Sequence, residues 1–144
     1  LLTNTRQRMR AVATRDLWDR TTDPLVERAA RALGGEKVWG GMKWSAEQAS
    51  APGGGARYVA ERLAAFVRAH GDALRLHAVG HSAGSIFHAH FLPAAFAAGV
   101  PRLESLHLLA PAIRVDAFKR LLLPHLVGAG ARVGRFSTFT MQQD

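Results

Sequence analysis

The sequence predicts an α/β fold, a parallel sheet with helices on both faces. Three observations predict it. From residue 56 onward the chain alternates helix, strand, helix, strand, helix, strand, the order that parallel strands joined by crossover helices produce. Glycine or proline punctuates the changes of element, at Gly71, Pro93, Gly99, Ala110-Pro111 and Gly128-Ala129-Gly130. An apolar run over 74–79 leads directly into Gly80-His81-Ser82-Ala83-Gly84, and a helix-forming run follows at once.

The elements follow in order. Residues 5–20 predict a helix, with Met9, Val12, Ala13 and Leu17 at helical spacing and arginines on the other face. Asp23-Pro24 reads as an N-cap followed by proline at the first helical position. That second helix runs to about Leu33 and stops at Gly34-Gly35. Residues 36–56 read as an irregular stretch that lies over the domain, anchored by Trp39 and Trp44 and closing on Pro52-Gly53-Gly54-Gly55. Residues 56–70 predict a helix with Val59, Leu63, Phe66, Val67 and His70 inward and an Arg57–Glu61 pair outward. A strand is expected over 74–79, then a helix from Ala83 to about Phe91. Pro93 should break or kink that helix, or start a short one ending at Gly99. Further strands are expected over 103–109 and 132–140, with a helix opening at Asp116 and interrupted at Pro124 between them. The organisation expected is a helical or irregular segment over 1–55, serving as a cap or insertion, and an incomplete α/β core over 56–144.

The bulk numbers set limits. A chain of 144 residues, 48% hydrophobic and 21% charged, suffices for one folded domain. No apolar run is long enough for a transmembrane helix, and no signal peptide opens the chain; the default expectation is cytoplasmic. With no cysteine there is no disulfide framework. The net charge of +8 raises the question of nucleic acid. Its arginines are scattered, however, and the densest group, Arg6 to Arg15, has no interleaved aromatic residues and is followed by Asp16, Asp19 and Asp23. No nucleic-acid partner, metal or cofactor is expected.

Gly80-His81-Ser82-Ala83-Gly84 is the pattern of a nucleophile elbow, a serine on a sharp turn between strand and helix. Small residues two before and two after the serine are expected because the backbone closes on itself there, and the serine is expected in a strained conformation that exposes its hydroxyl. The plain alternative is a parallel-sheet crossover with Ser82 capping the helix.

On these residues the chain resembles the α/β-hydrolase superfamily of serine esterases, lipases and thioesterases, over about residues 56–144. In that family the elbow follows the fifth strand, and the strands at 103–109 and 132–140 match the next two. The resemblance implies that Ser82 attacks an acyl carbonyl in a small-molecule or lipid ester, thioester or amide, that a histidine takes its proton, and that a carboxylate orients the histidine. It implies an oxyanion held partly by the backbone N–H of Ala83. Asp144, after the seventh-strand position, matches the usual acid; Asp116, after the sixth, is the alternative acid, although an aspartate there also serves as a helix N-cap.

None of His70, His77, His81, His88, His90, His107 and His125 occupies the family's histidine position, which lies downstream of Asp144. The chain therefore reads as the middle and later part of a serine hydrolase. A different reading is a non-catalytic hydrolase-like domain used for binding or assembly. A third resemblance, to patatin-like lipases with a Ser–Asp dyad, rests on Gly53-Gly54-Gly55-Ala56-Arg57 but lacks the apolar strand before that motif. A partial sheet exposes strand edges, so an oligomer is also consistent with the sequence.

Overall fold

The computed structural model describes residues 35–140 of the chain. The helices expected over 5–20 and 24–33, and Asp144, lie outside these residues. The sheet and its helices belong to one unit, Gly41–Asp144, which begins well before residue 56.

Gly35–Ser50 is a helix, α1, where irregular chain is expected. No proline interrupts it, and Glu36, Lys37, Met42, Lys43, Ala46, Glu47, Gln48 and Ala49 all favour helix. Gly40 and Gly41 each cost about 1 kcal/mol relative to alanine, which weakens a helix of this length without forbidding it. Trp44 is 63% exposed, so it does not act as an anchor. Gly53 takes the left-handed conformation at φ 83° in the turn from α1 to the next helix. The Gly54 N–H donates to the Ala51 carbonyl, and a side chain at Gly54 would run into the carbonyls of Gln48 and Ala49. The glycine run is thus a helix–helix turn.

Helix α2, Gly55–His70, carries the expected Arg57–Glu61 pair at 2.9 Å and ends at Gly71. Leu63 packs against the core as expected, but the fully buried residues of α2 differ from expectation. Ala60 and Ala64 are almost wholly buried, whereas Val59 is 53% and Phe66 51% exposed and His70 is exposed with its ring against Phe66. The small residues win because α2 packs closely on the next helix: an added Cβ on Gly99 would stand 3.9 Å from the Ala64 methyl. A 3-10 turn, Gly71–Ala73, leads to the first strand.

Strand β1 is His77–His81, helix α3 Gly84–Ala98, strand β2 Leu103–Leu109, helix α4 Val115–Leu121, helix α5 Leu123–Leu126 and strand β3 Val133–Phe139. Helix α3 runs through Pro93 without a break. The proline removes one helical hydrogen bond, at a cost of about 3 kcal/mol. Buried Ile86, Ala89, Leu92, Ala95 and Phe96 commit the helix to the core on both sides of it, and that packing prevails. The left-handed Gly99 closes α3 with N–H bonds to the last turn. Pro124 sits at the start of α5, where its missing N–H costs nothing.

The three strands form one parallel sheet in the order β1-β2-β3. Ala78 and Gly80 pair with Leu106 and Leu108, and these residues face α3 and α5 in a core completed by Ala60, Ala64, Leu92, Phe96, Val100 and Leu122. The opposite face carries three registered rows: His77, Ser105 and Arg135; Val79, His107 and Ser137; His81, Leu109 and Phe139. Val79 is 58% and Phe139 56% exposed. Among the described residues, then, the helices that touch the sheet cover one face and leave the other open, where helices on both faces are expected. No helix among the described residues is long and apolar enough to cross a membrane.

Candidate active site at the carboxyl ends of the strands

Ser82 stands immediately beyond β1, between the last strand residue and the first turn of α3. Its φ is +48°. For a residue with a Cβ this left-handed conformation costs about 1 kcal/mol or more, and such strain gathers at functional turns. The Ser82 N–H still continues the ladder, donating to the Leu109 carbonyl at 2.9 Å. Ser82 is half-buried, and its hydroxyl makes no hydrogen bond among the described residues.

The turn is held from the inside. At Gly80 a Cβ would lie 2.8 Å from the His88 ring and 2.9 Å from the Gly84 backbone, so only glycine fits. Gly84 differs from expectation: a Cβ there would meet nothing within 4 Å, because it opens α3 on the side away from the packed strand. His88 rests on Gly80, and its Nε2 lies 3.0 Å from the Val79 carbonyl. A carbonyl only accepts, so Nε2 carries the hydrogen; the buried Nδ1 then has no partner among the described residues. The Val79 carbonyl lies on the edge of β1 away from β2, since Leu76 and Ser82 make the bonds to β2 and strand residues alternate sides.

Two features here escape sequence reasoning. Ser85 is fully buried. Its hydroxyl donates to the Ser82 carbonyl at 2.6 Å and accepts from the N–H groups of Ala112 and Ile113, both at 3.0 Å. The same Ser82 carbonyl accepts from the Ser85 N–H at 3.0 Å and the Ala112 N–H at 3.2 Å. A serine in the first turn of a helix ordinarily faces solvent, so nothing in its spacing marks this role. The second feature is Ala110, at φ +41° just past β2, whose N–H donates to the Phe139 carbonyl at 2.7 Å. A residue before proline is normally pushed to extended backbone, which hides this strain from the sequence. Ser82 and Ala110 are the non-glycine residues at positive φ among those described, and they sit side by side at the carboxyl ends of adjacent strands. In open α/β sheets that end is where ligands bind.

His81 ends β1 with its side chain exposed on the open face. Asp116 lies in the first turn of α4, two residues past the cap position, which Arg114 takes. Its exposed carboxylate accepts from Arg114 Nε at 3.0 Å. That bond, with help from the Ala117 N–H, holds Asp116 below the usual carboxylate range. Asp144 lies outside the described residues. Several histidines have other commitments: His77 Nδ1 is 2.7 Å from the hydroxyl of buried Ser105, His88 caps Val79, and His125 packs on Phe96 at 5.0 Å. No histidine bonds the Ser82 hydroxyl among the described residues. No group of three or more His, Cys, Asp and Glu suited to a metal ion occurs among them either. A concavity of about 690 Å³ opens at the amino ends of the strands, between Arg68, Arg75, Arg102 and Glu104; it lies at the far end of the sheet from Ser82.

No known protein family, curated protein or solved structure matches this chain.

Proposed function

We propose that this chain is the nucleophile-bearing part of a serine hydrolase of the α/β-hydrolase type, acting on an acyl ester, thioester or amide. The observation that carries the proposal is Ser82 at φ +48° between a parallel strand and a helix, with a hydroxyl that makes no hydrogen bond among the described residues. Such a hydroxyl is held out for attack on an electrophile. The acyl carbonyl would meet Ser82 at the carboxyl ends of the strands, with the Ala83 N–H at the start of α3 facing the developing oxyanion. The base would come from a histidine outside residues 35–140, with Asp144 the acid favoured by position and Asp116 the alternative.

The test is active-site labelling of the full-length protein with a fluorophosphonate probe, mapped by peptide mass spectrometry. Labelling at Ser82, lost in Ser82→Ala, is the expected result. Labelling elsewhere, or none, would remove the enzymatic reading.

A specific observation favours a second reading, a non-catalytic hydrolase-like module. His77, His88 and His125 are engaged with Ser105, Val79 and Phe96 rather than with Ser82. An unlabelled but fully folded protein would support this reading. Against a patatin-like reading stands the helix Gly35–Ser50 ahead of the glycine run, where that reading takes an apolar strand.

A further inference from the structure

We propose that Ser85 is a positioning residue that aims the Ala83 N–H into the oxyanion site. This rests on the reading of Ser82 as a nucleophile.

The carbonyl of Ser82 and the N–H of Ala83 belong to the same planar trans peptide, so they point in opposite directions. Whatever fixes the carbonyl therefore fixes the N–H. Three donors converge on that carbonyl: the Ser85 hydroxyl at 2.6 Å, the Ser85 N–H at 3.0 Å and the Ala112 N–H at 3.2 Å. All three come from the protein interior or the loop after β2, and Ser85 is fully buried. The Ala83 N–H is turned the other way, at a half-exposed residue, and no backbone acceptor among the described residues takes it.

The Ser85 hydroxyl is the shortest of these contacts and is itself held rigidly. It donates once and accepts from both Ala112 and Ile113, which uses the full capacity of a hydroxyl. It therefore joins the elbow to the loop that continues the neighbouring strand, where Ala110 is strained at φ +41°. A carbonyl drawn on by three donors also polarises its peptide, making the N–H at the other end a stronger donor. Aim and strength both act on charge that develops only in the transition state. Ser85 should thus affect the chemical step and leave ground-state binding alone.

The experiment compares wild type, Ser85→Ala, Ser85→Cys and Ser85→Thr in the full-length protein. Readouts are Ser82 labelling by the fluorophosphonate, kcat and KM on a p-nitrophenyl ester, the pH profile, and the Ala83 amide resonance after ¹⁵N-alanine labelling, assigned with Ala83→Gly. Losing an oxyanion donor outright costs ~10²–10³ in kcat. Misaiming it in Ser85→Ala should cost about tenfold or more, with KM and the pH profile unchanged and the Ala83 resonance displaced. Ser85→Thr, which keeps the hydroxyl, should recover most of the rate. Ser85→Cys is nearly isosteric and guards against a failure of Ser85→Ala to fold; it should show the same kcat loss in milder form.

A labelled Ser82 with Ser85→Ala and Ser85→Cys rates within twofold of wild type would overturn the inference and leave the hydrolase reading standing. So would a change confined to KM, or an unmoved Ala83 resonance. No Ser82 labelling in wild type would end both.

Discussion

At the scale of single residues, the elbow places opposite demands on its two glycines. Gly80 faces the packed side of β1, where a methyl group would press on the Gly84 backbone at 2.9 Å and the His88 ring at 2.8 Å. Backbone cannot yield as a side chain does, so Gly80→Ala should destabilise the fold by about 1–3 kcal/mol. Gly84 begins a helix with open space beside it, and Gly84→Ala should stabilise by about 0.5–1 kcal/mol through helix propensity. Urea unfolding midpoints of the two variants test the pair, and equal effects would mean that the turn packs differently. The sequence made Ser82 and Gly80 legible because a motif on a strand–helix junction fixes local backbone. It left Ser85, Ala110 and the open space at Gly84 unread, because each depends on where another segment passes. Asp116 illustrates the same limit: only the fold shows its carboxylate paired with Arg114 in the first turn of α4. Given that pairing and its exposure, Asp116→Asn should leave Ser82 labelling in the full-length protein within about twofold. Loss of a true triad acid instead costs about 10⁴, so a fall of that size would make Asp116 the acid.

At the scale of elements, periodicity located the helices and strands better than it oriented them. Strand β2 falls at the expected residues, and β3 lies within its expected range. Strand β1 is displaced toward the motif, so that Gly80 and His81 belong to it. For α2, Leu63 packs against the core as expected, but Val59 and Phe66 are half-exposed and the residues sealed are alanines. Hydrophobic spacing identifies a stripe, but the separation between helices decides whether that stripe is filled by leucine or by alanine. Here α2 and α3 approach until Ala60 and Ala64 are sealed. Ala64→Leu should therefore cost about 1–3 kcal/mol by forcing these helices apart, whereas Phe66→Ala, at a half-exposed position, should change stability by less than about 0.5 kcal/mol. Thermal or urea melts of the two variants provide the check. The reverse order of effects would restore the stripe of Val59 and Phe66 as the buried face. Pro93 makes the same point from the other side: a residue that ends helices in isolation is carried through one whose flanking turns are both anchored in the core.

At the scale of the whole molecule, stability should depend on pH through the contact between the segment after α4 and the last strand. His125 packs on the Phe96 ring of α3 at 5.0 Å, and Arg132 lies over that ring, 5.8 Å from its centre. The Arg132 N–H donates to the His125 carbonyl, and its guanidinium donates to the Phe96 carbonyl. This cluster joins α3, α5 and the entry to β3. Burial, and then the positive charge of Arg132, disfavour a second cation at His125 and hold it below the ordinary histidine value of about 6.5. The sign follows from linkage. In the unfolded chain His125 binds a proton as pH drops through about 6.5, while the folded chain resists until a lower pH. Its contribution to stability is complete above about 6.5 and is lost as pH falls through the depressed folded value. The melting temperature should accordingly fall between pH 7.5 and pH 5.5, and His125→Gln, which has no such proton to bind, should flatten that fall. Melts of both proteins at the two pH values decide the matter: parallel slopes would show that the pH response arises at other groups, and a steeper slope in His125→Gln would reverse the sign assigned to this contact.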